Sequence, residues 1–407
     1  MNNNTIDLNL TLYDFVKKHP ETVPFLISQG LNQVEDENLL NTLGKQVTLS
    51  QMLTMRNMNH TTFAARLAES TSDTPAAAGD NILPQNITRI LGLLPCPVRL
   101  PLQESFNTFI DDFHQANPDQ RIEQELKAAS VGPTWMEEHI TGVTDPANLP
   151  DMFISAGFET FFDKNSIGRF RDSNTFSDTT GIEKFNADFD GIDLKDPRGM
   201  YSIISVVPAV FLVNTQKLDG RACPETWQDI LAPEFEKKVS LPVGDFDLFN
   251  GILLSILKLY GEEGVRKLGR SLLKSLHPSE MVKSNRKPEP PIVTIMPYFF
   301  TRMVNTASGM KAVWPSDGAI ISPIFMLTKR SDKKGLQSSI EFFASENTGR
   351  ILSEKGLFPS VHPAVKNELP ENAPFLWLGW DYLDNHDVTA EIEHCLELFE
   401  AGQKEVA

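Results

Sequence analysis

Two apolar runs, far apart in the chain, constrain its fold more than any other feature. Residues 207–242 read VPAVFLVNTQKLDGRACPETWQDILAPEFEKKVSLP, and residues 314–359 read WPSDGAIISPIFMLTKRSDKKGLQSSIEFFASENTGRILSEKGLFP. Each begins with an apolar run able to carry the backbone from one folding lobe to another. Each then enters a helix with clear start signals. The chain is expected to leave a first lobe, build a second and return.

At 407 residues the chain is long for one core, so two or three folding units are expected. A hydrophobic content of 41% with 22% charged residues indicates packed globular structure rather than disorder. The formal net charge of -17 repels phosphate backbones, which argues against nucleic acid as a partner. Most of that charge is read as solvated surface. Cys96, Cys223 and Cys395 are dispersed and odd in number, so no disulfide framework is legible. Cys96, in LPCPVRLPL, is read as a small core thiol just ahead of a strand. The first residues, MNNNTIDLNLTLYDFVKKHPE, lack a basic stretch followed by an apolar one, so no secretory signal is read. The apolar run 318–327 is too short to span a bilayer. A cytoplasmic location without membrane insertion is therefore expected.

Residues 1–68 read as a small helical domain. Thr11 can cap a helix over LYDFVKKH, with Asp14 in its first turn. Pro20 suits the start of the next helix and Gly30 its end. Further helices fit DENLLNTLG, TLSQMLTM and, capped by Asn59, HTTFAARLAES. A linker over 69–94 begins with the small, polar ESTSDTPAAAGDN. From residue 95 onward strand and helix patterns alternate. VRLPL, RIEQEL, DMFISAG and KKVSLP read as strands; QESFNTFIDDFHQAN and GDFDLFNGILLSILKLYG read as helices. Such alternation argues for an α/β sheet of parallel order.

The ordered set PAVFLVNTQKL, PETWQDILAPEF, KVSLP and WPSDGAIISP resembles the type 2 periplasmic-binding-protein fold, in particular the ferric-iron branch of ABC-transporter solute-binding proteins. The resemblance covers residues 95–405. It implies two α/β lobes, one of residues 95–205 with 320–405 and the other of residues 206–319. It also implies a small-molecule ligand in the cleft between them and no catalytic residues. In that branch adjacent tyrosines bind Fe³⁺ through hard oxygen ligands. Here Tyr13, Tyr201, Tyr260, Tyr298 and Tyr382 are all isolated, so a naked ferric ion held by a tyrosine pair is disfavoured. A metal chelate, an anion or an organic ligand stays open. The segments TLYDFVKKHPETVPFLISQGL and TLSQMLTMRNM resemble a small domain of unknown function (DUF1858) related to the N-terminal domain of iron–sulfur repair proteins. Relatives often carry cysteines after the second helix, where this chain reads GLNQVED. Residues 1–68 are expected to engage a protein partner.

Ligands of such sheets sit at the carboxyl ends of strands. That rule selects Ser155, Gly157 and Phe158 from one lobe, and Asp245, Phe246 and Tyr298 from the other, as ligand-binding residues. Simpler roles stand beside each. The Ser155–Phe158 stretch is equally a tight turn with Phe158 in the core, and one of Asp245 and Asp247 is expected to cap the following helix. Asp317 is a turn residue by its Asp-Gly context. Trp135 and Trp314 are candidates for stacking or for the core, and Trp227 for packing. Glu391, His394 and Cys395 share a helical face without making a metal site by themselves. No cofactor is implied, and no HExxH, GxSxG or P-loop pattern occurs. The chain is expected to bind a solute without catalysis. The alternatives are a cytosolic ligand sensor signalling through the helical domain, or an enzyme on the same fold.

Overall fold

In the computed structural model the described residues are 7–23, 26, 31, 34, 37–55, 63, 67, 84–132, 134–243, 246–276, 281, 283–286, 289–304 and 309–406. The chain forms two compact units. One comprises Met1–Ala77 with Ser130–Trp135, the other Ala78–Ala129 with Met136–Ala407.

The first unit is helical. Helix α1 (Leu12–Lys18) starts where expected: the Thr11 hydroxyl accepts the Asp14 N–H at 3.0 Å and donates to its carboxylate at 2.7 Å. A 3₁₀ turn, Pro20–Thr22, opens on Pro20. Helices α2 (Glu37–Thr42) and α3 (Leu49–Met55) follow. Thr48 and Gln51 cap α3 reciprocally, each side chain accepting the other's backbone N–H. The helices bury Leu12, Phe15, Leu31, Leu49, Leu53, Phe63 and Leu67 in one core. Gly30, the Asn59 cap and the polar stretch 69–81 lie outside the described residues.

The second unit is built on β1 (Ile87–Leu94), β2 (Arg121–Ala128), β3 (Met152–Ala156), β4 (Ser202–Asn214), β5 (Val239–Leu241), β6 (Leu272–Ser275), β7 (Val293–Pro297), β8 (Met310–Val313), β9 (Ala319–Thr328) and β10 (Phe375–Leu376). Their order is β2-β1-β3-β9-β4-β7-β5-β6, with β10 on β9 and β8 on β4. Within each lobe the strands run parallel: β1 with β2 and β3, and β5 with β6 and β7. Between the lobes lie β4 and β9, antiparallel to each other and to their other neighbours β3 and β7. The sheet is thus mixed, not wholly parallel as the alternation suggested.

The apolar runs become these two crossing strands. Every residue of β4 and of β9 is buried. Pro208 marks the point where β4 changes partner. Residues up to Pro208 pair with β9, and those from Ala209 pair with β7. A proline in a central strand needs such a place, because it cannot donate to the ladder.

Three expectations are corrected. VRLPL is not a strand but the first turns of helix α4 (Cys96–Ala116). Val98, Leu102, Phe106, Ile110 and Phe113 are buried, whereas Leu100 is 56% exposed. The apparent alternation was the start of a helical stripe. Pro95 and Pro97 are no obstacle at a helix start. Cys96 is accordingly an exposed helix residue, not a core thiol. The expected linker 69–94 loses its end to β1, an almost wholly buried parallel strand whose sequence has no polar alternation.

The third correction concerns lobe membership. Helix α5 (Glu159–Phe162) follows β3; helix α6 (Phe246–Ser271) follows β5 and bends at Gly261, φ 67°. Helix α7 (Lys334–Phe343) packs on the first lobe. The chain then crosses a third time. Residues 358–360 bond to β4, while Phe375 and Leu376 pair with β9. Helix α8 (Trp380–Asn385) stays on the first lobe: Trp380 donates to Leu194 O at 2.9 Å, and Asp384 pairs with buried Arg171 at 2.6 Å. Helix α9 (Val388–Glu405) runs instead along α6 of the second lobe. The C-terminal pair therefore braces both lobes, where the resemblance placed all of 320–405 in the first.

Candidate functional site

The strand-end turn after β3 is buried rather than open. Gly157 takes φ 89° and donates its N–H to Pro323 O at 3.2 Å. Ser155 is 6% exposed and its hydroxyl bonds Ala156 O at 3.1 Å. Phe158 is 1% exposed, stacked on Trp377 and edge-on to Phe325. Its ring also faces Gly251 of α6, where even a Cβ would make ordinary contact at 3.5 Å. The turn thus lies against the second lobe. A Cβ on Gly157 would stand 2.5 Å from Asp247 Oδ1. One turn on, the Asn250 amide donates to Glu159 Oε1 at 2.5 Å.

Glu159 sits among carboxylates. Burial pushes its pKa up; the Asn250 hydrogen bond opposes this, and Glu137 and Asp163 add to the rise. Glu137 is raised for the same reasons, burial first and then Asp163. The folded protein therefore holds the Glu159 proton more tightly than the unfolded chain does. Its contribution is fully present below the ordinary value of 4.5 and is lost as pH rises through the raised one. Glu159→Gln keeps an acceptor for Asn250 and removes the charge. It is expected to raise the melting temperature at pH 7, with the gain fading below pH 4.5. An equal gain at pH 4 and pH 7 in thermal scans would contradict this account.

Tyr298 belongs to a second meeting of the lobes. It opens the 3₁₀ turn Tyr298–Met303 after β7. Its hydroxyl donates to Glu368 O at 3.2 Å, and its ring stands edge-on to Trp314 at 5.1 Å. Burial raises the phenol pKa, Glu368 adds to the rise and Arg302 opposes it. Four residues on, Arg302 reaches the Glu368 carboxylate at 2.7 Å and the Glu354 carbonyl. Glu368 follows a segment pinned to the first lobe. Asn186 donates to Val365 O, and Asn367 donates to Ser360 O and Asp188. Tyr298 and Arg302 thus span the two lobes. The sequence reading named Tyr298 but not Arg302, whose carboxylate partner is distant in sequence.

Of the other expected residues, Asp245 lies outside the described residues, and Phe246 is placed only as the first residue of α6. Asp317 does more than turn the chain: its carboxylate accepts the Trp227 N–H at 2.9 Å and faces the Tyr260 hydroxyl at 3.4 Å. Trp227 is fully buried and donates to Gly318 O, a packing role. Trp314 donates to Pro374 O and so fixes the crossing segment. Glu391 bonds Tyr382, His394 pairs with Glu262, and Cys395 is buried with its thiol pushed up to about 12 by burial and then by Glu391. Among the described residues no three His, Cys, Asp or Glu side chains converge as a metal-ligand set, and no helix is long and apolar enough to cross a membrane.

Two lobes joined by antiparallel crossing strands, with strand ends turned toward a seam, define a periplasmic-binding-protein fold. Residues 147–386 match the profile of the bacterial extracellular solute-binding proteins. The chain belongs to that family, whose fold serves binding rather than catalysis. Residues 6–63 match the domain of unknown function DUF1858. Solved structures agree on the fold. Apo ferric ion-binding protein A from Pasteurella haemolytica is 11% identical with a TM-score of 0.55, covering 78% of this chain and 98% of that one. An ABC-transporter substrate-binding protein from Agrobacterium tumefaciens is 14% identical with a TM-score of 0.52, covering 77% and 96%. A protein described as a two-component system protein mediating signal transduction is 12% identical with a TM-score of 0.55, covering 76% and 100%. At such identities the likeness is one of fold alone. No curated protein sequence matches the chain.

Proposed function

We propose that the α/β unit binds a small solute between its lobes and closes on it by a hinge through β4 and β9. The observation that carries this reading is the construction of the crossing. Two wholly buried strands join the lobes, and at Pro208 β4 leaves its pairing with the other crossing strand, β9, for β7 of the second lobe. Away from those strands, polar contacts from Asn250, Tyr298 and Arg302 reach across, and polar contacts of this kind can exchange with a ligand or with water. The solute is a metal chelate, an anion or an organic molecule. Tyr298 is the expected ligand residue best placed to touch it, while Phe158 serves the seam by packing.

Native mass spectrometry of freshly purified full-length protein tests this directly. A retained small mass is expected. Adding back that compound should raise the melting temperature and shrink the radius of gyration in solution scattering. A chain that carries no ligand and shows neither change with any compound in a broad panel would refute solute binding.

A second reading, a ligand sensor, is favoured by the fused DUF1858 domain and by a signalling protein among the similar folds. In it, ligand binding changes which protein partner residues 1–68 hold. Affinity capture on the full chain with and without the identified ligand separates the readings. A sensor exchanges a partner with ligand; a transport component does not.

A further inference from the structure

We propose that Arg302 is a subsite for a carboxylate group of the solute, and that Glu368 occupies it as an internal stand-in. The proposal rests on the solute-binding reading above and names the chemistry of one part of the ligand.

The Arg302 guanidinium spends one nitrogen, Nη1, on the Glu354 carbonyl and another, Nη2, on a Glu368 carboxylate oxygen at 2.7 Å. Tyr298, on the same turn, grips the same residue through its backbone carbonyl at 3.2 Å. A single residue of one lobe is thus held at two points by the other lobe. With Nη1 held by the Glu354 carbonyl, Nη2 offers one charge-assisted N–H to a carboxylate oxygen, the contact that Glu368 makes. The Arg302 and Glu368 side chains keep 35% and 59% of their surface exposed. An ion pair so exposed contributes little to stability and exchanges readily. A competing carboxylate can therefore take the place of Glu368 without uncovering a buried charge. The Glu368 side chain can swing away while its backbone stays held through Tyr298 and the neighbouring Asn367. On a chain of net charge -17, an anion gains nothing from long-range attraction, so recognition falls to a local cation. The stand-in sets a threshold: a solute closes the lobes through Arg302 only when it outcompetes an intramolecular carboxylate.

The test uses the full chain and isothermal calorimetry with citrate, succinate and inorganic phosphate as probes, with solution scattering in parallel. Glu368→Gln should tighten binding of citrate or succinate at least several-fold, because the competitor has lost its charge. Arg302→Gln should abolish that binding, and Arg302→Lys should restore only part of it. Both glutamine variants exchange exposed side chains, and circular dichroism confirms that they fold. Phosphate bound as tightly as the carboxylates would overturn the carboxylate assignment. So would carboxylate binding unchanged or weakened by Glu368→Gln, or no probe bound by either the parent or that variant. If Arg302→Gln leaves a copurified ligand's affinity intact while the lobes still close on it, this subsite fails and the solute-binding reading stands.

Discussion

Gly402→Val is expected to be the most destabilising single substitution on the C-terminal brace. Helices α6 and α9 touch backbone to backbone at two glycines. A Cβ on Gly402 would fall 2.0 Å from Arg266 O, and one on Gly269 would fall 2.1 Å from Phe399 O. Neither obstacle is the end of a flexible side chain, so only a shift of a whole helix relieves the overlap. Helix axes normally pack 8–10 Å apart, and small residues allow closer contact. Around the glycines sit Val265, Leu268, Phe249, Leu398 and Phe399, all buried in the shared core. Moving α9 outward loosens these contacts together. Overpacking of this kind costs about 1–3 kcal/mol, and a backbone obstacle belongs at the upper end. For a unit of this size a drop of roughly 4–5 °C in melting temperature follows. Glu397→Ala, on the exposed face of α9, is the control and should change stability by less than about 0.5 kcal/mol. Equal melting temperatures for the two variants would show that the helices are not held at this distance.

The sequence told much of the fold because its decisive parts are buried on all sides. β4 and β9 read as continuous apolar runs for the same reason that they can cross between lobes. PETWQD announced its helix correctly. Thr226 and Asp229 cap each other reciprocally, a local device that needs no tertiary context. The failures have equally physical causes. VRLPL is short enough that Val98 and Leu102 fit both a strand and a helix, and only Phe106 and Ile110 decide between them. β1 has no polar face to alternate, so its apolar residues resembled the end of a linker. The path of α8 and α9 could not be read, because amphipathicity shows that a helix has a buried face and not which lobe covers it. At the site the strand-end rule selected two turns, at Phe158 and at Tyr298, where the lobes meet. It did not distinguish a turn that packs, as at Phe158, from one that presents a polar group, as at Tyr298. Arg302 escaped because its role depends on Glu368, which lies 66 residues away in sequence.

The second large effect is expected at Gly157, where the seam and the backbone impose separate costs that can be measured apart. Its φ of 89° is one that residues with a Cβ rarely adopt, at a cost of about 1–2 kcal/mol. In addition, a Cβ there would stand 2.5 Å from Asp247 Oδ1 and 3.0 Å from its Cγ, which belong to the other lobe. Gly157→Ala therefore strains the turn and pushes on the carboxylate together. Gly157→Val adds two methyl groups against the same contact and should hold the lobes apart there. The expected loss is about 2 kcal/mol for alanine and roughly 3–4 kcal/mol for valine, combining backbone strain with overpacking. Asp247→Ala supplies the separation. Combined with Gly157→Ala it should recover most of the steric part, the Cβ at position 247 staying 3.1 Å away, and leave the backbone part, giving a favourable coupling of about 0.5–1 kcal/mol in a double-mutant cycle. Solution scattering should report a larger radius of gyration for Gly157→Val alone, and a return toward the parent when Asp247 is also alanine. Additive losses with unchanged scattering would mean that the turn is strained but the lobes do not press on one another at this point.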